Sequence, residues 1–595
     1  MNGFVGYWGC GAHRELELLL TRCIEALPGT SQRLSLPEPP SNRPDSSVAG
    51  IAGWGTKPQF ERDTKDVTAS LAASLSASGI STTHDVWVKA ERQCLRLGRE
   101  PFGRATLYWT QLKDVIWFAS RLQSLLPILK SRDVAIAGMY GYACLSFVPA
   151  PLTPLEGVFA VAAGSESVWR MDSASETGSK LSTESVRLNE WRDSEPEICS
   201  EEQATLQLRG ILEKAIRKQV EDLPSGPVAV FLSGGLDSSV TAALLARAGV
   251  TVRAYTLDFG ECAFSELPFA ERVAEALSIP LVKVPATPRR IRDAITATAE
   301  ALDVPFGDGV TAPLFLLGEA ASRDATVVFN GEGGDQLFGG WTNKPLIAAG
   351  VYQDQQSDGG GFKREYLRTF HRLHGYEPSV YTEATRSEIA KLDPLDWLAP
   401  ALDETFTHSL LQRLRRATLM LKGAQNIQPR ATALAWAHGL SVRTPFCDRA
   451  MADWTFRLAG DLCLRGPCEK YLLKRAVEDW LPPEIVWREK RGMGAPLTAW
   501  CLGPLRRAIW ECLNPNALED EGRFQPDLAP RVASGQLSGH VQGRRIGEIL
   551  WLLLMWQAWR RIVLKEEFKQ SHHNPFWLPP QWWQWRFRDR QGSTL

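Results

Sequence analysis

The spacing of apolar positions changes once along the chain, and that change divides it. Up to about residue 171 the apolar runs are short and extended in character. Residues 3–9, Gly-Phe-Val-Gly-Tyr-Trp-Gly, read as an apolar strand with regularly placed glycines. Further strands are expected over 86–89, 94–97, 105–110 and 115–118, each punctuated by glycine or charge. Residues 31–50, rich in Pro, Ser and Arg, read as an exposed loop. The pattern predicts an antiparallel-rich α+β domain over 1–171. A Ser/Thr/Glu-rich stretch, 172–202, cannot bury much core and is expected to be a linker. Beyond it, Leu208, Leu212, Ile216 and Val220 recur every four residues, which is an amphipathic helix. Strands expected over 251–257, 281–284 and 326–330 then alternate with helices over 266–277 and 289–302. Alternation of this kind implies a parallel sheet covered by helices. After residue 341 the strands fade, so 203–595 is expected to form an α/β domain with a helical extension.

One stretch in the second domain carries a chemical signal. Val228-Ala-Val-Phe-Leu232 runs into Ser233-Gly234-Gly235-Leu236-Asp237-Ser238-Ser239, and a helix former follows. Two glycines after a buried strand let the backbone curl so that successive N–H groups converge. Ser238 and Ser239 fall where a helix begins, at the positive end of its dipole. That loop suits a polyanion. It is neither a Walker A sequence nor G-x-G-x-x-G.

Composition narrows the classes. Lys plus Arg total 67 against 68 Asp plus Glu, a net charge of −1, so no general attraction to nucleic acid or anionic membrane is expected. Eleven cysteines without a C-x-x-C pair, and no secretory pattern, suggest free thiols in a reducing cytoplasm. The longest apolar run, residues 549–556, is too short to span a bilayer and reads as a buried helix. The tryptophan-rich tail, residues 574–587, is expected to pack back on the body.

A second loop follows the strand at 326–330: Asn330-Gly331-Glu332-Gly333-Gly334-Asp335. Parallel strands put their carboxyl ends on one edge, so this loop can face the first. Nucleotide chemistry needs Mg²⁺, a hard cation that takes one or two carboxylates besides phosphate oxygens, and Asp237 and Asp335 are the candidate ligands. Glu332 is placed to act on a substrate proton. A third, basic cluster contains Glu469-Lys470 and Arg488-Glu489-Lys490. Ammonium groups there could stabilise charge on a cleaved phosphate bond or on an oxyanion, which makes Lys470 and Lys490 catalytic candidates. His371-x-x-His374 and His572-His573 lack a complementary ligand set and read as ordinary histidines.

The loop at Ser233–Ser239 resembles the pyrophosphate loop of ATP pyrophosphatases, and the three clusters together resemble the asparagine synthetase superfamily over nearly the whole chain. Thr256 and Leu257 match its adenine-side strand, and Arg443-Thr-Pro-Phe-Cys-Asp448 is similar to its A-R-x-P-F-x-D element. The resemblance implies ATP and Mg²⁺, nucleotide contacts from Leu232, Ser233, Gly234, Gly235, Asp237, Ser238, Ser239, Thr256, Leu257, Gly331 and Gly333, and the key-lysine role for Lys490. Ser441, where the family often carries glutamate, and Gln336, in place of a second acid, are departures.

Arg99-Glu-Pro-Phe-Gly103 through Tyr108 resembles the R-D-x-x-G-x-x-P-L-Y segment of class II glutamine amidotransferases, and Phe118-Ala-Ser120 the following F-A-S-E. The implied fold is an Ntn-hydrolase-like glutaminase domain followed by the ATP-pyrophosphatase domain. That family needs an N-terminal cysteine nucleophile, but position 2 is Asn2, and an amide cannot form a thioester. The glutaminase is therefore expected to be inactive and the amine to come from elsewhere. Relatives lacking this cysteine include lasso-peptide macrolactam synthetases and β-lactam synthetases. The expectation adopted is the lasso type, in which a precursor-peptide carboxylate is adenylated and captured by the peptide's own amine, beside a partner leader peptidase. β-Lactam or ammonia-dependent synthesis of an amide, and a non-catalytic scaffold, are the alternatives.

Overall fold

The computed structural model describes residues 3–567 except 11, 26–30, 36–47, 55–57, 64–69, 81–83, 173–179, 194–199, 261–264, 341–359, 408, 491, 493 and 538. Asn2, His572, His573 and the tryptophan-rich tail therefore lie outside the described residues.

The N-terminal half is two stacked antiparallel sheets. One comprises β1 (Gly3–Gly9), β2 (Ser31–Ser35), β3 (Val48–Trp54), β8 (Tyr108–Leu112), β9 (Val115–Ala119) and β10 (Val158–Ala160), in the order β10-β8-β9-β1-β3-β2. The other comprises β4 (Gln59–Asp63), β5 (Ser70–Leu75), β6 (Val86–Glu91), β7 (Cys94–Arg99), β11 (Ser165–Asp172) and β12 (Lys180–Arg187), in the order β12-β11-β7-β6-β5-β4. Phe4, Trp8, Ile51, Ile116 and Phe118 of the first sheet meet Leu71, Val86, Val88, Leu95, Leu97 and Trp169 of the second in one apolar layer. Tyr7, Trp54 and Trp117 face the other way, towards helices α1 (His13–Glu25) and α2 (Ile136–Leu145). This two-sided burial explains why β1 and β3 are apolar throughout rather than alternating.

Two expectations need correction here. The first part of the 31–50 loop is strand β2, and its end is the start of buried β3, because small residues at 49, 50 and 52 fit between packed layers. The 172–202 linker contains β12, whose polar residues are tolerated because it is an outer strand paired on one side only, with β11.

The second half is built on a five-stranded sheet, all of it parallel, with order β15-β14-β13-β16-β17. Its strands are β13 (Val228–Phe231), β14 (Val252–Asp258), β15 (Leu281–Pro285), β16 (Val327–Phe329) and β17 (Ser441–Arg443). Helices α3 (Glu201–Val220), α4 (Leu236–Arg247), α5 (Leu267–Ala276), α6 (Pro288–Ala301) and α7 (Thr311–Ala321) supply the connections and cover. The fifth strand departs from the expectation that strands end near 341. Three residues are too few for a readable pattern, and β17 is identified by its pairing with β16. The order reverses between β13 and β16, so the loops that follow them open side by side at the carboxyl edge. The run at 549–556 lies within the helix Arg544–Trp559 and is buried, as expected.

The halves are joined by polar contacts as well as apolar ones. Arg121 Nε meets the Asp303 carboxylate at 2.9 Å, both groups being buried. Arg99 donates to the carbonyls of Ala105, Val161 and Gly103, and across the junction to Ala424 at 3.2 Å. The β17 amide of Val442 donates to Ala77 O of the N-terminal half. Burial raises the Asp303 pKa, and the Arg121 charge only partly offsets it. Arg121→Ala should therefore strand a buried carboxylate and destabilise the protein by about 3–5 kcal/mol. Urea unfolding checks this: an unchanged midpoint would show that the pair contributes nothing.

Candidate active site

The first loop is shaped by its glycines. Gly234 has φ +76, in the left-handed region, and a side chain there would run into Phe269 and Ala270. Gly235 caps α4 without any side-chain bond, leaving the first N–H groups of a twelve-residue helix open at the positive end of its dipole. Ser233 and Ser238 hydroxyls lie 3.1 Å apart, and Ser238 also accepts from the Ser233 amide. Ser239 is fully buried and bonds to Gly235 O, so it braces the turn.

The second loop presses against the first, as the parallel sheet requires. A Cβ on Gly331 would stand 2.6 Å from the Asp237 carbonyl carbon, and one on Gly334 would strike the Asp237 carboxylate. Only glycine permits this approach.

Asp237 and Asp335 thus converge, and Lys470 stands between them. Its Nζ lies 2.6 Å from Asp237 Oδ2 and 2.5 Å from Asp335 Oδ1, with the side chain almost wholly buried. Lys490 Nζ reaches Asp335 Oδ2 at 3.0 Å. Burial opposes ionisation throughout. At Asp335 the two ammonium groups outweigh it and hold the carboxyl below its ordinary range, whereas at Asp237 burial prevails and the pKa is raised. Burial also works against the charge of Lys490, but Asp335 and Asp237 outweigh it and keep the pKa above the ordinary lysine value. Glu332 has its pKa raised by burial, an effect that Arg430 opposes and Asp335 reinforces.

These groups border one open cavity of about 1300 Å³. Leu232, Ser233, Gly235, Asp237, Ser238, Thr256, Leu257, Gly331, Glu332, Asp335 and Lys490 all line it. Gly234, Ser239, Gly333 and Lys470 are not among the lining residues. The first three shape the loops behind the surface. Lys470 sits beneath the carboxylates as their fixed counter-ion.

Sequence reasoning missed the groups that hold Lys490. Glu469, buried, accepts from the Lys490 backbone amide at 2.9 Å and from Lys474 Nζ at 3.3 Å. Lys474 in turn donates to Arg488 O. Their adjacency to Lys470 was the available signal, but charged residues on a short helix read as a solvated face. Arg488 stacks over Phe269 at 3.7 Å and approaches Glu266 at 3.7 Å, flanking the cavity. A group around Asp308 was also missed; its arginines, Arg372 in a bend and Arg430 on the helix Gln428–Trp436, are distant in sequence.

The two cysteines of the N-terminal strand–helix unit, Cys10 and Cys23, are both engaged with their surroundings. Cys10 Sγ contacts Met171 Sδ, and burial pushes Cys23 up to about 12. Among the described residues no cluster of three or more His, Cys, Asp or Glu could hold a metal, and no helix is long and apolar enough to cross a membrane. His374 is engaged with Glu377 at 3.5 Å.

Comparison with known proteins agrees with this architecture. The asparagine synthase family model matches residues 207–561. Glutamine-hydrolyzing asparagine synthetase 1 of Bacillus subtilis is 21% identical over 515 residues, covering 82% of this chain and 79% of its own. A putative glutamine-hydrolyzing asparagine synthetase of Mycobacterium tuberculosis is 25% identical over 443 residues, covering 70% and 67%. Amidase chry2 of Gibberella zeae is 22% identical over 494 residues, covering 72% of each. With paired loops, converging carboxylates and a family match over more than half its length, the chain belongs to the asparagine synthase family and is an ATP-dependent carbon–nitrogen ligase.

Proposed function

We propose that the protein activates a substrate carboxylate as its acyl adenylate, releasing pyrophosphate, and joins it to an amine of the same molecule. The substrate is a peptide and the product a macrolactam of the lasso type. The observation that carries this is a pair: Asn2 where glutaminase chemistry requires cysteine, and a cavity of about 1300 Å³, above the ~300–1,000 Å³ common for small-ligand sites. A site of that size has room for a nucleotide and a folded-back peptide segment together.

In this reading the open N–H groups at Leu236–Ser238, the first turn of α4, hold the departing pyrophosphate, as helix N-termini hold anions. Thr256 and Leu257, at the carboxyl end of β14, border the base. Asp237 and Asp335 fit Mg²⁺: both are hard oxygen donors, and Asp237 Oδ1 is buried without a hydrogen-bond partner. Bound there, the ion would neutralise phosphate charge. Lys490, held protonated, faces the developing oxyanion, and Glu332 receives the proton of the attacking amine.

The names of the relatives, glutamine-hydrolyzing asparagine synthetases, favour a second reading, an amide synthetase acting on a small acid, here supplied with free ammonia. One experiment separates the two. Purified protein is incubated with ATP, Mg²⁺, a short precursor peptide encoded beside its gene and the accompanying leader peptidase. The expected result is AMP and pyrophosphate, with a peptide lighter by one water and no glutamate formed from added glutamine. ADP and phosphate would refute adenylation. Amide formation with aspartate and ammonia, but not with peptide, would select the second reading.

A further inference from the structure

We propose that a stacked aromatic ledge on the N-terminal half, formed by Trp109 of β8 and Phe159 of β10, is the docking site for the chain's own tryptophan- and proline-rich segment, residues 574–587. That segment lies outside the described residues, and the proposed reaction makes no use of it.

The ledge is a fixed feature of the sandwich. Phe159 and Trp109 face each other across the β10–β8 pair, stacked with ring centroids 4.7 Å apart. Trp169 of β11, fully buried, meets Trp109 edge-on at 4.9 Å and holds it from below. The outer ring nevertheless stays in water: Phe159 is 36% exposed. Another strand has little to pair with on β10, because two of its three amides turn away from β8 and are spent, Val158 on Leu155 O and Ala160 on Pro151 O. What remains open is an aromatic face, and such a face takes up rings and prolines rather than a strand.

The described chain leaves the body beside this ledge. Leu564 O accepts from Arg132 Nη1 at 3.4 Å, and the charges of Glu566 and Asp133 both act on Arg523. Asp133 O in turn accepts from the Glu156 amide at 2.9 Å, and Glu156 lies three residues before Phe159. That last step is about 10 Å of extended chain. Nine residues separate Glu567 from Phe576, enough to span about 30 Å, so Phe576 and Trp577 can reach the ledge. Charge fits as well. Arg586, Arg588 and Arg590 outnumber Asp589 in and just after the segment, while Asp133 and Glu156 are exposed along the path to the ledge.

A second copy of the chain could offer the same segment, and the test separates the two sources. The full chain is made with Phe159 replaced by photo-reactive benzoylphenylalanine, in equal parts unlabelled and ¹⁵N-labelled, and irradiated. The adducts should fall within residues 574–587 and join residues of one chain, so that no mixed-isotope pairs form. Mixed pairs would give the ledge to a second copy, and absence of adducts in the segment would leave the ledge without its occupant; either result overturns the proposal. Limited trypsin digestion of the full chain is the independent measurement. Phe159→Glu should raise the rate of cleavage after Arg586, Arg588 and Arg590 by about tenfold, the scale of a lost aromatic contact. Leu206→Glu, at an exposed position of α3, should leave that rate unchanged. Equal rates in the parent and Phe159→Glu, or an equal rise in Leu206→Glu, would overturn the docking.

Discussion

Lys490→Ala should lower amide formation by at least the ~10²-fold that accompanies loss of an oxyanion-type donor. The ammonium is suited to that task and unsuited to proton abstraction, because Asp335 at 3.0 Å and Asp237 keep it charged. Arginine should not rescue it. The site holds a compact cation on a loop whose amide is pinned to Glu469, and a planar guanidinium would meet Asp335 in a different geometry. Single-turnover measurement of the amide product by mass spectrometry checks the step. A variant within tenfold of the parent would remove Lys490 from the chemistry. Glu469→Gln provides the companion result: it keeps the ammonium but loosens its support, so the rate should fall without complete loss.

The second large effect is a separation of half-reactions. Glu332→Gln should leave pyrophosphate–ATP exchange nearly intact while amide product falls by ~10²-fold or more, the scale of a positioned general base. Burial raises the Glu332 pKa, so in the parent the amide step should climb with pH through a limb lying above the ordinary carboxylate value of ~4.3. That limb should vanish in the variant. Stability supplies an independent sign. A carboxyl whose folded pKa is raised penalises the native state when ionised, so Glu332→Gln should melt higher at pH 7, with the gap closing as the pH falls towards the ordinary carboxylate pKa. Complete loss of exchange, the result expected of Asp237→Asn at the Mg²⁺ site, would instead make Glu332 part of the nucleotide or metal site.

The loops were legible in the sequence because their chemistry is local. A strand, two glycines and a helix start at 228–239 determine backbone direction within a dozen residues, and a parallel strand at 327–329 brings the second loop alongside. The counter-ion role of Lys470 was not legible, since it depends on a contact across 233 residues with Asp237. The Asp308 group was hidden for the same reason. Asp308 and Arg430 are separated by 122 residues, and neither lies in a pattern that distinguishes a site from a solvated helix. β12 was missed because a one-sided polar strand has the composition of a linker.

The seam between the halves bears on how such a chain can diverge. Arg443 reaches back to Ser78 O, the Arg104–Asp85 pair lies near enough to act on Cys447, and Cys447 touches Glu332 O, so the N-terminal sheets underpin the loop that carries Glu332. Whatever chemistry that half retains, it is not free to drift. Selection there should fall on the residues nearest the partner domain, Asp85, Arg99 and Arg104, and relax over its outer surface. The module would then be inherited whole, as scaffolding for a reaction performed next door.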